Sequence, residues 1–204
     1  MQLLSLGLNH KTAPVEIRER VALTTGQIGE ALTSLHTYVP QGIILSTCNR
    51  TEVYTVADQD HIKSQLAAGR FLSEYGRIPI DQLAPYLYTY QSEEAARHLF
   101  RVASGLESMI LGEYEVLGQV RTALEKAEGS GLVHLPLLNL FRQAVRVGRR
   151  VRDETEISKN GLSVSSAAVD LSRRCFPNLG ECDVLVISAG EAAMLAVKAL
   201  AKAG

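Results

Sequence analysis

Apolar and polar positions divide the chain into short strand-like runs and longer helical ones. Leu3-Leu4-Ser5-Leu6-Gly7-Leu8 is a compact apolar run that predicts a buried first strand. Asn9 to Pro14 reads as a loop, and Val15 to Leu23 as a helix carrying Glu16, Arg18, Glu19 and Arg20. Gln27 to Tyr38 predicts a second helix, with Ile28, Ala31, Leu32 and Leu35 on one face. Ile43-Ile44-Leu45 returns to a strand pattern, and Thr51 to Val56 carries it on. His61 to Tyr75 is helical in pattern, and Leu87 to Tyr90 predicts a short strand. The order β-α-β-β-α-β implies an α+β fold with a ferredoxin-like, split βαβ unit.

The character changes at Ser92, a candidate N-cap. Ala95, Leu99, Val102 and Leu106 recur at helical spacing, and the chain stays largely helical to Asp153. Gly105 to Val120 reads as an amphipathic helix broken by Gly112. After a polar linker at Ile157 to Leu162 and a helix at Val164 to Arg174, Cys182 to Ile187 predicts a buried strand of the parallel type, followed by a helix from Met194 to Ala203. The expected organisation is one domain over residues 1–156, then a linker and a first βα unit over 157–204.

Bulk properties narrow the functional classes. With 204 residues and 46% hydrophobic content, the chain can bury a core without staples. A net charge of −1 gives no global field for nucleic acid, so any such contact is local. Three cysteines without C-x-x-C spacing argue against a disulfide framework or zinc site and fit a reducing cytoplasm. No stretch is apolar for long enough to span a membrane.

The chemistry concentrates at Thr47-Cys48-Asn49-Arg50, four polar or reactive residues between apolar segments. If this stretch is extended, Cys48 and Arg50 share a face, about 6.5–7 Å apart. A thiol and a guanidinium so placed suit an acyl substrate with an acidic tail. A lone cysteine is also compatible with an inert, buried role, because only exposure and a lowered pKa make a thiol reactive. His98, beside the apolar stripe of its helix, is either a core-edge histidine or the base that deprotonates Cys48. Arg142, Arg146, Arg149 and Arg150 line one helix face, which serves either as a solvated surface or as a contact for nucleic-acid phosphates.

Ser46-Thr47-Cys48-Asn49-Arg50-Thr51-Glu52-Val53-Tyr54 resembles the signature of the glutamyl-tRNA reductase family. Leu8 to Glu16, Arg97 to Leu106, Gly105 to Val120 and Ile157 to Ala168 resemble further blocks of that family, in the same order. The resemblance implies that Cys48 attacks the ester of glutamyl-tRNA to form a thioester. NADPH then reduces the thioester to glutamate 1-semialdehyde for tetrapyrrole synthesis. It implies His98 as a catalytic residue and a substrate pocket of Thr47, Asn49, Arg50, Ser108, Glu113, Tyr114, Glu115 and Gln119, with Glu113 on the substrate ammonium. It leaves His10 a structural, loop-ordering role. The family pattern has Pro-Gln where this chain has Tyr114-Glu115.

Ser188-Ala189-Gly190-Glu191-Ala192-Ala193 follows the last predicted strand and resembles a dinucleotide fingerprint, with Ser188 where the family has its first glycine. The expected cofactor is NADPH, and the expected partners are glutamyl-tRNA and the aminomutase that consumes the aldehyde. The NADPH domain is expected to be truncated, with the family's dimerisation region absent. Two alternatives stay open: a diverged homologue that binds tRNA without reducing it, and a cysteine acyl-transfer esterase.

Overall fold

The computed structural model describes residues 2–57, 61–158, 164–176, 178–187 and 191–203. Strands β1 (Gln2–Asn9), β2 (Gly42–Ser46), β3 (Arg50–Ala57) and β4 (Tyr88–Gln91) form one antiparallel sheet in the order β2-β3-β1-β4. Helices α1 (Val15–Val21) and α2 (Ile28–Leu35) connect β1 to β2, and α3 (His61–Gly76) with the short α4 (Ile80–Leu83) connects β3 to β4. This is the expected split βαβ unit.

The sheet is covered on both faces, which explains the unbroken apolar runs. Successive side chains point to opposite sides. Leu6, Leu8, Ile44 and Val53 therefore pack with Leu32, Leu35, Phe71 and Leu72 of α2 and α3. Ile43, Leu45, Tyr54 and Val56 face the other way, onto α5 (Ser92–Ala103), α6 (Glu115–Ser130) and α7 (Leu135–Glu154). The Tyr54 ring meets Phe141 of α7 edge-on, with centroids 5.1 Å apart.

Three expectations change. Ser92 does not cap α5: it is the first helical residue, with φ of 49°, and no side-chain cap bond is made there. The helix expected over 105–120 starts only at Glu115. Gly105 and Gly112 adopt left-handed φ of 77° and 78°, and Gly105 and Leu106 return to the Val102 and Arg101 carbonyls in a Schellman stop. Residues 182–187 pair with no strand among the described residues, and Leu185 and Ile187 are 83% and 88% exposed. An apolar run becomes a buried strand only beside a ladder partner. Here it lies next to α8 (Val164–Cys175) and α9 (Glu191–Ala203), which pack on each other. No helix among the described residues is long and apolar enough to cross a membrane.

Candidate active site

The Thr47–Arg50 stretch is not extended. It is the turn joining β2 to β3, so Cys48 and Arg50 do not alternate on a strand face. The Thr47 N–H donates to the Arg50 carbonyl at 2.8 Å. The Thr47 hydroxyl accepts from the N–H groups of Asn49 and Arg50, both at 3.1 Å, a side-chain turn that competes with the sheet ladder. Two outside contacts hold the turn. The His10 N–H donates to the Asn49 carbonyl at 2.9 Å, and Arg18 of α1 donates to the Cys48 carbonyl at 2.7 Å. Cys48 is thereby displayed, exposed, at the tip.

Opposite the turn stands loop 104–114. At Gly112 a Cβ would lie 2.1 Å from the Ile157 carbonyl oxygen, and at Gly105 it would lie 3.0 Å from Gly112, so both positions require glycine. Arg152 of α7 ties the loop's two ends, donating to the Ala103 carbonyl at 2.8 Å and the Glu113 carbonyl at 2.9 Å. Glu107 fixes the middle, accepting from Lys11 at 2.8 Å and Arg101 at 2.7 Å, while its carbonyl accepts from Arg50.

Turn, loop and the start of α6 enclose one cleft. Its walls include Thr47, Cys48, Asn49, Arg50, Ser108, Glu113, Glu115 and Gln119. Eight residues singled out in sequence, from two stretches some 57 residues apart in the chain (Arg50 to Glu107 alone spans that), thus meet in space. Tyr114 does not join them; it is 58% exposed at the head of α6, outside the cleft wall. The cleft's free volume is about 20 Å³, room for roughly one water. Met109, on its rim, is 61% exposed. The Ser108 hydroxyl donates to Glu113 at 3.0 Å. Although Cys48 is exposed as a residue, partial desolvation by the cleft walls pushes its thiol above its usual pKa, and the carboxylates of Glu113 and Glu115 add to this. Burial, with Arg50, Lys11 and Arg18 nearby, lowers the His10 imidazole.

Arg50 and His98 meet through a residue the sequence reading passed over. Glu52 is fully buried on β3, facing α5. Its Oε1 accepts from Arg50 at 3.0 Å and Tyr88 at 2.5 Å and lies 2.9 Å from His98 Nε2; its Oε2 accepts from Tyr54 at 2.6 Å. Gly7 makes this possible. It pairs with Glu52 on one side and Tyr88 on the other, and a Cβ there would come 2.8 Å from the Glu52 Cγ. Burial alone would raise the Glu52 carboxyl, but His98, Arg50 and the Tyr54 hydroxyl hold it at about 2.

His98 is therefore tied to Glu52 rather than to Cys48. Its ring stacks against Tyr90, with centroids 4.6 Å apart, and borders a separate groove with Arg97 and Arg101. Glu52 had a sequence signal: it shares the strand parity of Tyr54 and Val56, so it is a carboxylate aimed into a core and must be paired. Arg18, Glu107 and Arg152 had none, because their roles are contacts across 30 or more residues of chain.

Of the dinucleotide-like segment, Ser188, Ala189 and Gly190 lie outside the described residues, and Glu191-Ala192-Ala193 begin α9. The described neighbours form no parallel-strand crevice of the kind a dinucleotide occupies.

The family model described as "Glutamyl-tRNAGlu reductase, N-terminal domain" matches residues 6–155. Proteins named glutamyl-tRNA reductase from two strains of Neisseria gonorrhoeae are 42% identical over 193 residues, covering 94% of this chain. The chain spans 45% of the length of those relatives. A solved structure named glutamyl-tRNA reductase from Methanopyrus kandleri superposes with a TM-score of 0.66 at 36% identity, over 99% of this chain and 47% of that one.

Proposed function

The chain belongs to the glutamyl-tRNA reductase family, and we propose that its cleft carries out the acylation step with which that reaction begins. The observation that carries this reading is the convergence of Cys48, Arg50, Ser108, Glu113 and Gln119 on one cleft. Cys48 attacks the ester carbonyl of glutamyl-tRNA, a thioester forms, and the terminal ribose oxygen of the tRNA leaves. Arg50 receives the side-chain carboxylate. Its guanidinium spends donors on Glu52 and the Glu107 carbonyl, which fix its plane and leave others of its five N–H groups for a ligand. Glu113 receives the ammonium, with Ser108 orienting its carboxylate. His98 acts at one remove, holding Glu52 and through it Arg50. For the whole protein we extend this, on family membership, to reduction of the thioester by NADPH to glutamate 1-semialdehyde, a labile aldehyde suited to immediate uptake by an aminomutase.

The test is to incubate the protein with glutamyl-tRNA in the absence of NADPH and to search the Cys48 peptide by mass spectrometry. A glutamyl adduct is expected, with slow release of free glutamate and tRNA as water takes the place of hydride. No adduct and no deacylation above background would overturn the reading.

The basic stripe of α7 narrows to two residues. Arg142 is paired with Glu128 at 2.6 Å and Arg150 with Glu154 at 2.8 Å. Arg146 and Arg149 are exposed, with no side-chain hydrogen bond or ion pair among the described residues. We assign these two to tRNA phosphates. Replacing both with glutamine should weaken tRNA binding and flatten its logarithmic salt dependence by roughly two, since each phosphate contact contributes about 0.9. An unchanged slope in a binding titration over salt would return the stripe to bare surface.

A further inference from the structure

One backbone donor of the Cys48 turn is left over. Three of the four N–H groups of residues 47–50 are engaged inside the turn: that of Thr47 on the Arg50 carbonyl, those of Asn49 and Arg50 on the Thr47 hydroxyl. The Cys48 N–H lies against its own sulfur and donates to no other group among the described residues. Arg18 and His10 hold the carbonyls of Cys48 and Asn49, so the peptide planes on either side of Asn49 are fixed at both ends. The Asn49 side chain has no part in this bracing. Asparagine usually serves a turn by adopting a left-handed backbone or by closing an Asx-turn on a following N–H. Asn49 does neither. The described non-glycine residues with positive φ are Arg77 and Ser92, and the Asn49 carboxamide makes no hydrogen bond among the described residues. Half-buried and next to the thiol in sequence, Asn49 lines the same cleft as Cys48.

We propose that Asn49 is a catalytic residue: its carboxamide N–H and the Cys48 N–H form the oxyanion hole that receives the ester carbonyl oxygen of glutamyl-tRNA. This rests on the acylation reading above and deepens it, because it assigns the groups that stabilise the charge developed in that step. The thiol proton passes to water, the sulfur forms its bond to the ester carbon, and an electron pair of the carbonyl moves onto its oxygen. That oxygen accepts from the two N–H groups. The pair then returns, the bond from the carbon to the ribose oxygen breaks, and the ribose oxygen takes a proton from water. A nucleophile's own N–H suits this task because the attacked carbon must come to rest beside it. Donors held in place before the reaction need no reorganisation when the charge appears. The bracing of the turn by Thr47, His10 and Arg18 supplies that fixity.

Two reactions of the same thiol separate this role from a structural one. Acylation by glutamyl-tRNA passes through an oxyanion, whereas alkylation by iodoacetamide displaces iodide and forms none. In single turnover at saturating glutamyl-tRNA, Asn49→Ala should acylate Cys48 about a hundredfold more slowly, the usual cost of removing one oxyanion donor. Its Cys48 alkylation, followed peptide by peptide against the exposed Cys175 and Cys182, should stay within about twofold, because that rate follows thiolate content and exposure. Asn49→Asp keeps the size of the side chain but brings no N–H, and its ratio of acylation to alkylation should fall at least as far. An unchanged acylation rate in Asn49→Ala, a fall matched by an equal fall in alkylation, or an unchanged ratio in Asn49→Asp would overturn the inference while leaving the acylation reading in place. Absence of acylation in the unaltered protein, with Cys48 alkylated normally, would overturn the acylation reading and this assignment with it.

Discussion

Replacing Cys48 with serine should remove the glutamyl adduct and lower glutamyl-tRNA deacylation by at least about a thousandfold, the scale on which losing a covalent nucleophile is felt. A hydroxyl needs a base to become a nucleophile. His98, the expected base, is held by Glu52 instead, and Glu113 and Glu115 oppose a further anion in the cleft. The fold should not suffer. Cys48 is exposed, and the contact from Arg18 uses its carbonyl, not its side chain. Stability should stay within about 0.5 kcal/mol, as for other substitutions away from packed sites. Mass spectrometry of the peptide and a thermal melt check the two halves separately. Deacylation at the unaltered rate would dismiss Cys48 as the nucleophile.

Replacing Glu52 with alanine should cost about 3–5 kcal/mol, the usual penalty for stripping one partner from a buried ion pair. Arg50, only 2% exposed, would lose its counter-charge, and the hydroxyls of Tyr54 and Tyr88 would lose their acceptor. The milder Glu52→Gln keeps the shape but not the charge and gives a cleaner test through pH. The carboxyl sits at about 2 in the folded chain against an ordinary 4.5. A depressed pKa stabilises the fold above the unfolded value, and that stabilisation is lost as pH falls through the folded one. The contribution is about 3 kcal/mol at neutral pH. Urea denaturation should therefore show a wide gap between the two proteins at neutral pH, narrowing as the pH is lowered from about 4.5 towards about 2. A gap independent of pH would mean that Glu52 contributes shape and not charge.

Much of this was legible along the chain. The apolar run Ile43-Ile44-Leu45 and the stripe at Ile28, Ala31, Leu32 and Leu35 predict strand and helix, the first because a short run suits a strand buried on both faces, the second because burial repeats at the helical period. The sheet order then follows from a split βαβ arrangement. The polar group Thr47 to Arg50 marks a site because an apolar strand has no use for it. Residues 182–187 misled because an apolar run records a preference for burial, while burial itself depends on a partner strand. Loop 104–114 misled because helical spacing cannot express the φ of Gly105 and Gly112, which the approach of Ile157 and α7 imposes.

The sequence by itself determined the four strands and most helices of residues 1–103 and marked Cys48 as the candidate thiol, because these depend on residue type and local period. Only the tertiary structure decided what those residues do together. It turned Thr47 to Arg50 into a hairpin tip, drew His98 away from Cys48 onto a buried carboxylate, and set Glu115 rather than Tyr114 in the cleft wall. Ion pairing and hydrogen bonding act through distances of a few ångströms in space, and the partners stand 46 residues apart for His98 and Glu52 and 57 for Arg50 and the Glu107 carbonyl.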